Sequence, residues 1–391
     1  MSCAEGSGAA CDHWQVSRLL AALRSPAGLF LASRAAVWLL VVFLLATLDP
    51  RAPGGNLWDD RWLHDVGRYL DVWGRWDGSW YARIASDGYR TAPSAPAFHP
   101  LYPVIVSGVG RVLGEHYLVA GVLVSLTAGT AAFVLLQRLA LRHIDAPTTR
   151  RALLYVAIFP TSIFLQAVYT ESLYLLLAVA TFLLAERGRF AAAALVCGLA
   201  ILTRPSAIAL LPPLALLAWR ARDRWHALGK IAIAPALFLL YPAVLWIQLG
   251  DPLSSLHAQR AWNRTLSATG PYEAVRAPVE DLMHGRRSDA AINLEALAYL
   301  VFFLALAVLA WRLFGAAYGL FAVGSLLVPL ANPGQRWPLM SLPRFALVVF
   351  PIFFALATIA RSPRRHGLVV AVFALLLVGT TVRWTLYHWV A

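Results

Sequence analysis

The sequence predicts an all-α polytopic membrane protein of about eleven spans, at ~20 apolar residues per bilayer crossing. Three observations predict it. Of its 391 residues 60% are hydrophobic and only 14% charged, with a mean hydropathy of +0.64, whereas a soluble domain carries roughly one-quarter charged residues. The apolar stretches are continuous, as at residues 368–378, which excludes the dyad alternation of a β-barrel wall. No polar segment is long enough to make a soluble catalytic domain on a single anchor.

From the N-terminus, residues 29–48 form the first apolar run, behind Arg18 and Arg24 and without a small-residue cleavage site. They read as an uncleaved signal anchor with its N-terminus inside. Residues 49–116 then form a large first outer loop with interfacial helices. Its part at residues 100–113 is apolar but short, opens with Pro100 and Pro103 and carries Arg111. If it crossed, Arg138, Arg142, Arg150 and Arg151 would lie outside, against the positive-inside rule, so it reads as re-entrant or interfacial.

Further spans fall near residues 117–137, 152–168, 170–186, 190–205, 207–219, 230–249, 294–312, 316–331, 343–360 and 367–388, with a second outer loop at 250–293. This arrangement puts every arginine cluster on the inner face, within one integral-membrane domain covering residues 1–391. The net charge of +13 is thereby assigned to topology and to attraction for anionic membrane lipids, and nucleic acid is excluded as a partner. Cys3, Cys11 and Cys197 make neither a disulfide framework nor a zinc-ligand spacing.

The unusual chemistry gathers on the outer face. Trp58, Trp62, Val66, Leu70 and Trp73 recur at helical spacing and predict an interfacial helix with its rings at headgroup depth. After Gly74 comes Arg75-Trp76-Asp77-Gly78-Ser79-Trp80-Tyr81, one carboxylate framed by large rings. Such a frame desolvates a carboxylate and can stack a sugar, as a general base acting on a membrane-held hydroxyl requires. The competing reading makes Asp77 the N-cap of a short helix over residues 78–85. The other acids of this loop alternate with arginines and read as solvated ion pairs. No D-x-D pair or histidine cluster appears, so no metal or other cofactor is implied.

Glu171, between two apolar runs, sits at a depth where charge is expensive and faces a cavity as a rule. Arg204 and Arg344 lie at outer ends of spans, where the positive-inside rule disfavours arginine, and both adjoin proline. They read either as a clamp for a lipid phosphate or as partners of headgroups or of an acid such as Glu171. His99 reads as a proton shuttle or an interfacial hydrogen-bonding residue. Gln259, Trp262, Asn263 and Arg264 of the second outer loop either cap a substrate cleft or pack on the first loop.

The residues 75–81 motif, with Ile84-Ala85, Gly88-Tyr89, Pro100-Leu101-Tyr102-Pro103, Phe159-Pro160-Thr161-Ser162, Tyr169-Thr170-Glu171-Ser172, Leu202-Thr203-Arg204-Pro205 and Pro343-Arg344-Phe345, resembles the bacterial branch of the PIG-V mannosyltransferases. That family belongs to the GT-C class of integral-membrane glycosyltransferases. The resemblance implies inverting transfer of mannose from a polyprenyl-phosphate-mannose donor to an acceptor hydroxyl, outside the cytoplasm of a bacterium. It makes Asp77 the candidate base, with Arg204 and Arg344 on the donor phosphate. Trp76, Trp80, Tyr81, His99, Tyr102, Tyr169, Glu171, Gln259 and Trp262 are candidate supporting residues, though His99 stands where the family pattern suggests an aromatic ring. The absence of a Gly-rich phosphate loop fits a lipid-linked donor. A flippase of a lipid-linked substrate would instead place its charges near the midplane on broken helices, and a surface-polysaccharide polymerase or ligase would also need outer arginines.

Overall fold

The computed structural model describes residues 25–52, 64–262, 264, 267–283, 287–334 and 338–390. Among them the regular structure is helical, with one isolated antiparallel bridge between Arg264 and Gly334. Five helices are long and apolar enough to cross a bilayer: Pro26–Leu48, Tyr117–Ala140, Arg224–Leu249, Ile292–Phe314 and Pro363–Thr385. Six shorter apolar helices accompany them: Leu101–Val112, Glu171–Ala185, Phe190–Ile201, Pro205–Trp219, Ala316–Leu330 and Phe350–Ile359. The chain is a multi-pass membrane protein.

Tyr117–Ala140 packs against Glu171–Ala185, Pro26–Leu48 and Leu101–Val112. Small residues permit the approach, as between membrane helices generally: a Cβ on Gly129 would stand 2.2 Å from the Phe30 ring. Leu101–Val112 has 12 residues, about 18 Å at 1.5 Å per residue, well short of a ~30 Å hydrocarbon core. That length suits the non-crossing segment expected there.

Two expected spans are broken. In place of a continuous helix over residues 152–168, Ala146–Ala157 ends before Pro160 and a short 3-10 turn follows at Ser162–Leu165. Proline lacks an N–H and disfavours helix in the residue before it, so carbonyls are freed at depth. Arg34, buried within the first helix, donates to the carbonyls of Ala157 and Ser162 and, at 3.1 Å, to Ser162 Oγ. Residues 343–360 likewise divide into Leu342–Ala346 and Phe350–Ile359, with Pro351 opening the second piece. These breaks place irregular backbone inside the protein, where side chains can satisfy it.

The two ends of Glu171–Ala185 differ in chemistry. At its C-terminal end Glu186 accepts from Arg142 at 2.6 Å and from the Tyr318 hydroxyl at 2.5 Å, and lies 2.9 Å from His143 Nε2. That is the arginine-rich end. The opposite end opens on Glu171.

The first outer loop departs from a single interfacial helix. Trp58 and Trp62 lie outside the described residues. From His64 the chain bends, turns at Gly67 (φ 128°), and makes only a four-residue helix, Arg68–Asp71, before a 3-10 turn. Val66 is exposed, while Trp73 is fully buried against Trp38, with ring centroids 5.4 Å apart. The stripe therefore faces the protein core at its end. Asp59, Asp60 and Arg61 lie outside the described residues, and among the described charges Asp71 and Arg75 leave the expected ladder of solvated pairs. Asp71 is buried and accepts from the amides of Val66 and Gly67 at 3.0 and 2.9 Å; burial holds its carboxyl above the ordinary value. Arg68 does pair, with Asp49 at 2.6 Å.

Candidate active site

Arg75 and Trp76 prepare the position of Asp77. The Arg75 guanidinium is buried, donates to the carbonyls of Trp384 and Thr385 where the last long helix ends, and stacks 3.5 Å from the Tyr387 ring centroid. Burial lowers its proton affinity to about 10. Its own carbonyl accepts from the Tyr169 hydroxyl at 3.0 Å. Trp76 has φ 52° and ψ −121°, a conformation that costs a non-glycine residue about 1–3 kcal/mol and persists only where the surroundings impose it. Its indole packs on Trp384, with centroids 4.6 Å apart.

The helix Asp77–Asp87 starts directly after this twist. Asp77 is therefore its first residue, with Trp76 in the capping position and no side-chain cap bond there. The Asp77 carboxylate turns to a different partner: Oδ2 accepts from Arg344 Nη1 at 2.7 Å. Geometry thus removes the capping role.

Arg344 is shared. Its Nε lies 3.0 Å from Glu171 Oε1, and Arg204 Nη1 reaches the same oxygen at 3.3 Å. Asp77, Arg344, Glu171 and Arg204 form one chain of alternating charge. Both arginines have found the internal acid Glu171, and Arg344 also stands beside the candidate base. The Glu171 side chain is 0% exposed and its Oε2 has no hydrogen-bond partner, while the Asp77 side chain keeps 18% exposure. Asp77 is the member of the chain that solvent and substrate can reach.

Rings wall this chain. The Arg344 guanidinium carbon lies 5.2 Å from the Tyr169 ring centroid and 5.5 Å from Phe164, and that of Arg204 lies 4.9 Å from Phe345 and 5.4 Å from Tyr174. Tyr81 meets Phe98, Tyr102 and Tyr169 edge to face. Its burial and the nearby Asp77 and Glu171 raise the phenol pKa far above normal, so Tyr81 stays neutral. Tyr102 donates to the Gly121 carbonyl at 3.0 Å and lies 2.9 Å from Ser125 Oγ. The Tyr102 and Tyr169 hydroxyls are thus committed to the fold.

The remaining candidates stand apart from the charge chain. Trp80 stacks on Phe98 at 5.7 Å, with Arg83 over its other side at 4.9 Å. Gln259 packs on the first loop, donating to the Ala97 carbonyl at 3.4 Å. Trp262 ends a 3-10 turn, and its side chain lies outside the described residues. His99 is no shuttle: Nδ1 is 2.7 Å from the Ile201 carbonyl, the ring packs on Tyr241, and burial depresses its pKa to about 4.

That depression has a sign. Above the ordinary value near 6.5, His99 is neutral folded or unfolded; below it the unfolded chain takes a proton that the folded one refuses, so stability is lost as pH falls toward about 4. Thermal unfolding of purified protein between pH 7 and 4 is expected to show this loss. His99→Gln should flatten that part of the profile, and an unaltered slope in the variant would remove His99 as its source.

Arg34 and Arg75 are not among the site residues the sequence offers, whereas Arg264 reads there only as a residue that caps a substrate cleft or packs on the first loop. Arg34 had a signal, an arginine inside the first apolar run; Arg75 was hidden among the alternating charges of the loop. Among the described residues no group of three or more His, Cys, Asp or Glu is placed to hold a metal.

Comparison with known proteins adds the following. No curated protein matches the chain. Solved structures of the Archaeoglobus fulgidus oligosaccharyltransferase are similar at low identity. The form tethered to an acceptor peptide containing the NVT sequon is 14% identical, with TM-score 0.45, over 92% of this chain and 55% of that one. The apo form gives 14%, 0.43, 93% and 56%. The complex of that enzyme, AglB, with an inhibitory peptide and a dolichol-phosphate gives 15%, 0.42, 90% and 56%. This chain thus spans about half the length of those proteins. The family model of Mannosyltransferase (PIG-V) matches residues 63–216, a stretch that holds Asp77, Glu171 and Arg204 but ends before Arg344. Over those residues the chain is similar to the PIG-V mannosyltransferases, which bears out the resemblance to that family but not to its bacterial branch; the motif at residues 343–345 lies beyond the match.

Proposed function

We propose that the protein is a membrane glycosyltransferase that moves mannose from polyprenyl-phosphate-mannose to an acceptor hydroxyl, with inversion, at the outer face of a bacterial cytoplasmic membrane. The observation that carries this reading is the Asp77–Arg344 contact at 2.7 Å, which sets a reachable carboxylate, itself within the segment similar to PIG-V proteins, against a cation that lies beyond that segment. In the reaction the acceptor oxygen attacks C1 of the sugar, the bond from C1 to the phosphate oxygen breaks, and Asp77 takes the hydroxyl proton. Arg344 and Arg204 meet the charge that grows on the departing polyprenyl phosphate. In the free protein Arg344 is held by Asp77, so an arriving phosphate competes for the guanidinium and releases the base.

Charge placement favours this enzyme over a flippase. Glu171 opens the helix Glu171–Ala185 and Arg204 follows the end of Phe190–Ile201, not midway along either, whereas a transporter site sits near the midplane; of these charges only Arg344 stands on a broken span. The eleven-span topology, with its two outer loops at 49–116 and 250–293, belongs to the same proposal. Purified chain in lipid nanodiscs, given polyprenyl-phosphate-[14C]mannose and an acceptor membrane extract, should move label from donor to acceptor; no movement with any extract fraction counts against the assignment. Topology has its own check. Single cysteines at residues 77 and 115 are expected to react with an impermeant maleimide from the same side, and opposite sides would make residues 100–113 a span.

A further inference from the structure

The two arginines offered to the donor phosphate are already neutralised. Arg204 and Arg344 share Glu171, and Arg344 also holds Asp77. A phosphate arriving at that chain meets two positive and two negative formal charges. The cation that would make the site attractive must come from elsewhere.

Arg264 of the second outer loop fits that need. Its backbone forms the isolated antiparallel bridge to Gly334, on the segment that leads to the Leu342–Ala346 helix carrying Arg344. The contact is reinforced nearby: the Ser267 amide donates to the Ala331 carbonyl at 3.0 Å, and Gly270 lies so close that a Cβ would stand 2.7 Å from the Ala331 oxygen. The loop is thereby fixed on residues 331–334, at the end of the Ala316–Leu330 helix. The Arg264 Nε is buried and, among the described residues, has no hydrogen-bond partner. The other buried arginines each have an acidic or carbonyl partner: Arg34 and Arg75 donate to carbonyls, Arg204 pairs with Glu171, and Arg344 donates through Nη1 to Asp77, although the Arg344 Nε, 3.0 Å from Glu171, likewise makes no hydrogen bond. A buried guanidinium nitrogen without an acceptor is costly, and an anion is what relieves it. Burial and the Arg344 charge both weaken its hold on the proton, while Asp77 strengthens it.

We infer that Arg264 is a donor-binding residue, supplying the uncompensated guanidinium that receives the single negative charge of a lipid phosphodiester beside Asp77 and Arg344. With Arg264 included, three guanidinium charges face two carboxylates, leaving one positive charge. The second outer loop is then part of the binding site and not merely packing on the first. This rests on the function proposed above for its donor chemistry, but the anion-binding role can be read without turnover.

The test uses the full chain in nanodiscs with polyprenyl phosphate as probe, followed by quenching of intrinsic tryptophan fluorescence, alongside mannose transfer from polyprenyl-phosphate-mannose. Arg264→Ala should weaken probe binding roughly tenfold or more and raise the donor KM similarly, as expected for loss of a charge-assisted hydrogen bond. The effect on kcat should be smaller. Arg264→Lys should recover part of the affinity, and thermal unfolding of both variants establishes that they are folded. Unchanged probe affinity in folded Arg264→Ala overturns the inference, as does a fall in kcat with KM intact. If the wild type binds the probe through Arg264 yet transfers no mannose, the anion site stands and the proposed reaction fails.

Discussion

Asp77→Asn is expected to abolish mannose transfer while leaving membrane insertion and donor binding in place. The amide has nearly the shape of the carboxylate but cannot take a proton, so the loss should be at least about a hundredfold, the lower range for a positioned general base. The free-state contact sharpens this expectation. Because Arg344 donates to Asp77 Oδ2 at 2.7 Å, removing the carboxylate's charge frees the guanidinium, and polyprenyl phosphate should bind the variant at least as tightly as it binds the wild type. Label transfer and fluorescence titration read the two effects separately. Full activity would show the base to be elsewhere; lost activity with weakened binding would show that Asp77 serves to assemble the site.

Arg344→Ala should be the most damaging substitution among the four charges. It leaves Asp77 and the fully buried Glu171 without their shared cation, and breaking a buried pair from one side costs about 3–5 kcal/mol. A fall in thermal stability is therefore expected together with loss of donor use. Arg344→Lys should restore charge but not activity, because one ammonium cannot reach both acids as the guanidinium does through Nη1 and Nε. Glu171→Gln is milder in charge and releases both Arg204 and Arg344 from their common oxygen, so donor KM should fall or stay unchanged while the base remains. Differential scanning fluorimetry and steady-state kinetics distinguish the three. Wild-type stability in Arg344→Ala would mean that the acid–arginine chain contributes little to the fold.

Several site residues were legible because they violated a local rule. Asp77 was the one carboxylate framed by indoles, and Arg204 and Arg344 were cations at span ends where topology disfavours them. Glu171 was an acid between apolar runs. Each violation involves a residue and its immediate sequence context, which is why a single string carries it. The alternation of acids and arginines in the first loop misled for the same reason: local charge order does not say which groups become buried. Asp71 went to backbone amides and Arg75 to carbonyls some three hundred residues away.

The family model ends at residue 216, short of two residues that the sequence marks only by their local context. Arg344 and Arg264 lie beyond it, one in a helix of five residues and the other in a loop without helical periodicity. Neither segment has enough regular spacing to announce its partner.

Apolar composition and helical runs determined that this chain is a membrane-spanning helical protein, and its motifs marked the end of the molecule where chemistry gathers. Burial of apolar surface and satisfaction of backbone within a segment are largely local matters, so composition and order suffice for them. Only the tertiary structure decided that Asp77 starts its helix without capping it, that prolines split two expected spans, and that Arg344 stands between Asp77 and Glu171. Those outcomes depend on which opposite charges meet after the helices pack. Coulomb attraction acts through space and not along the chain.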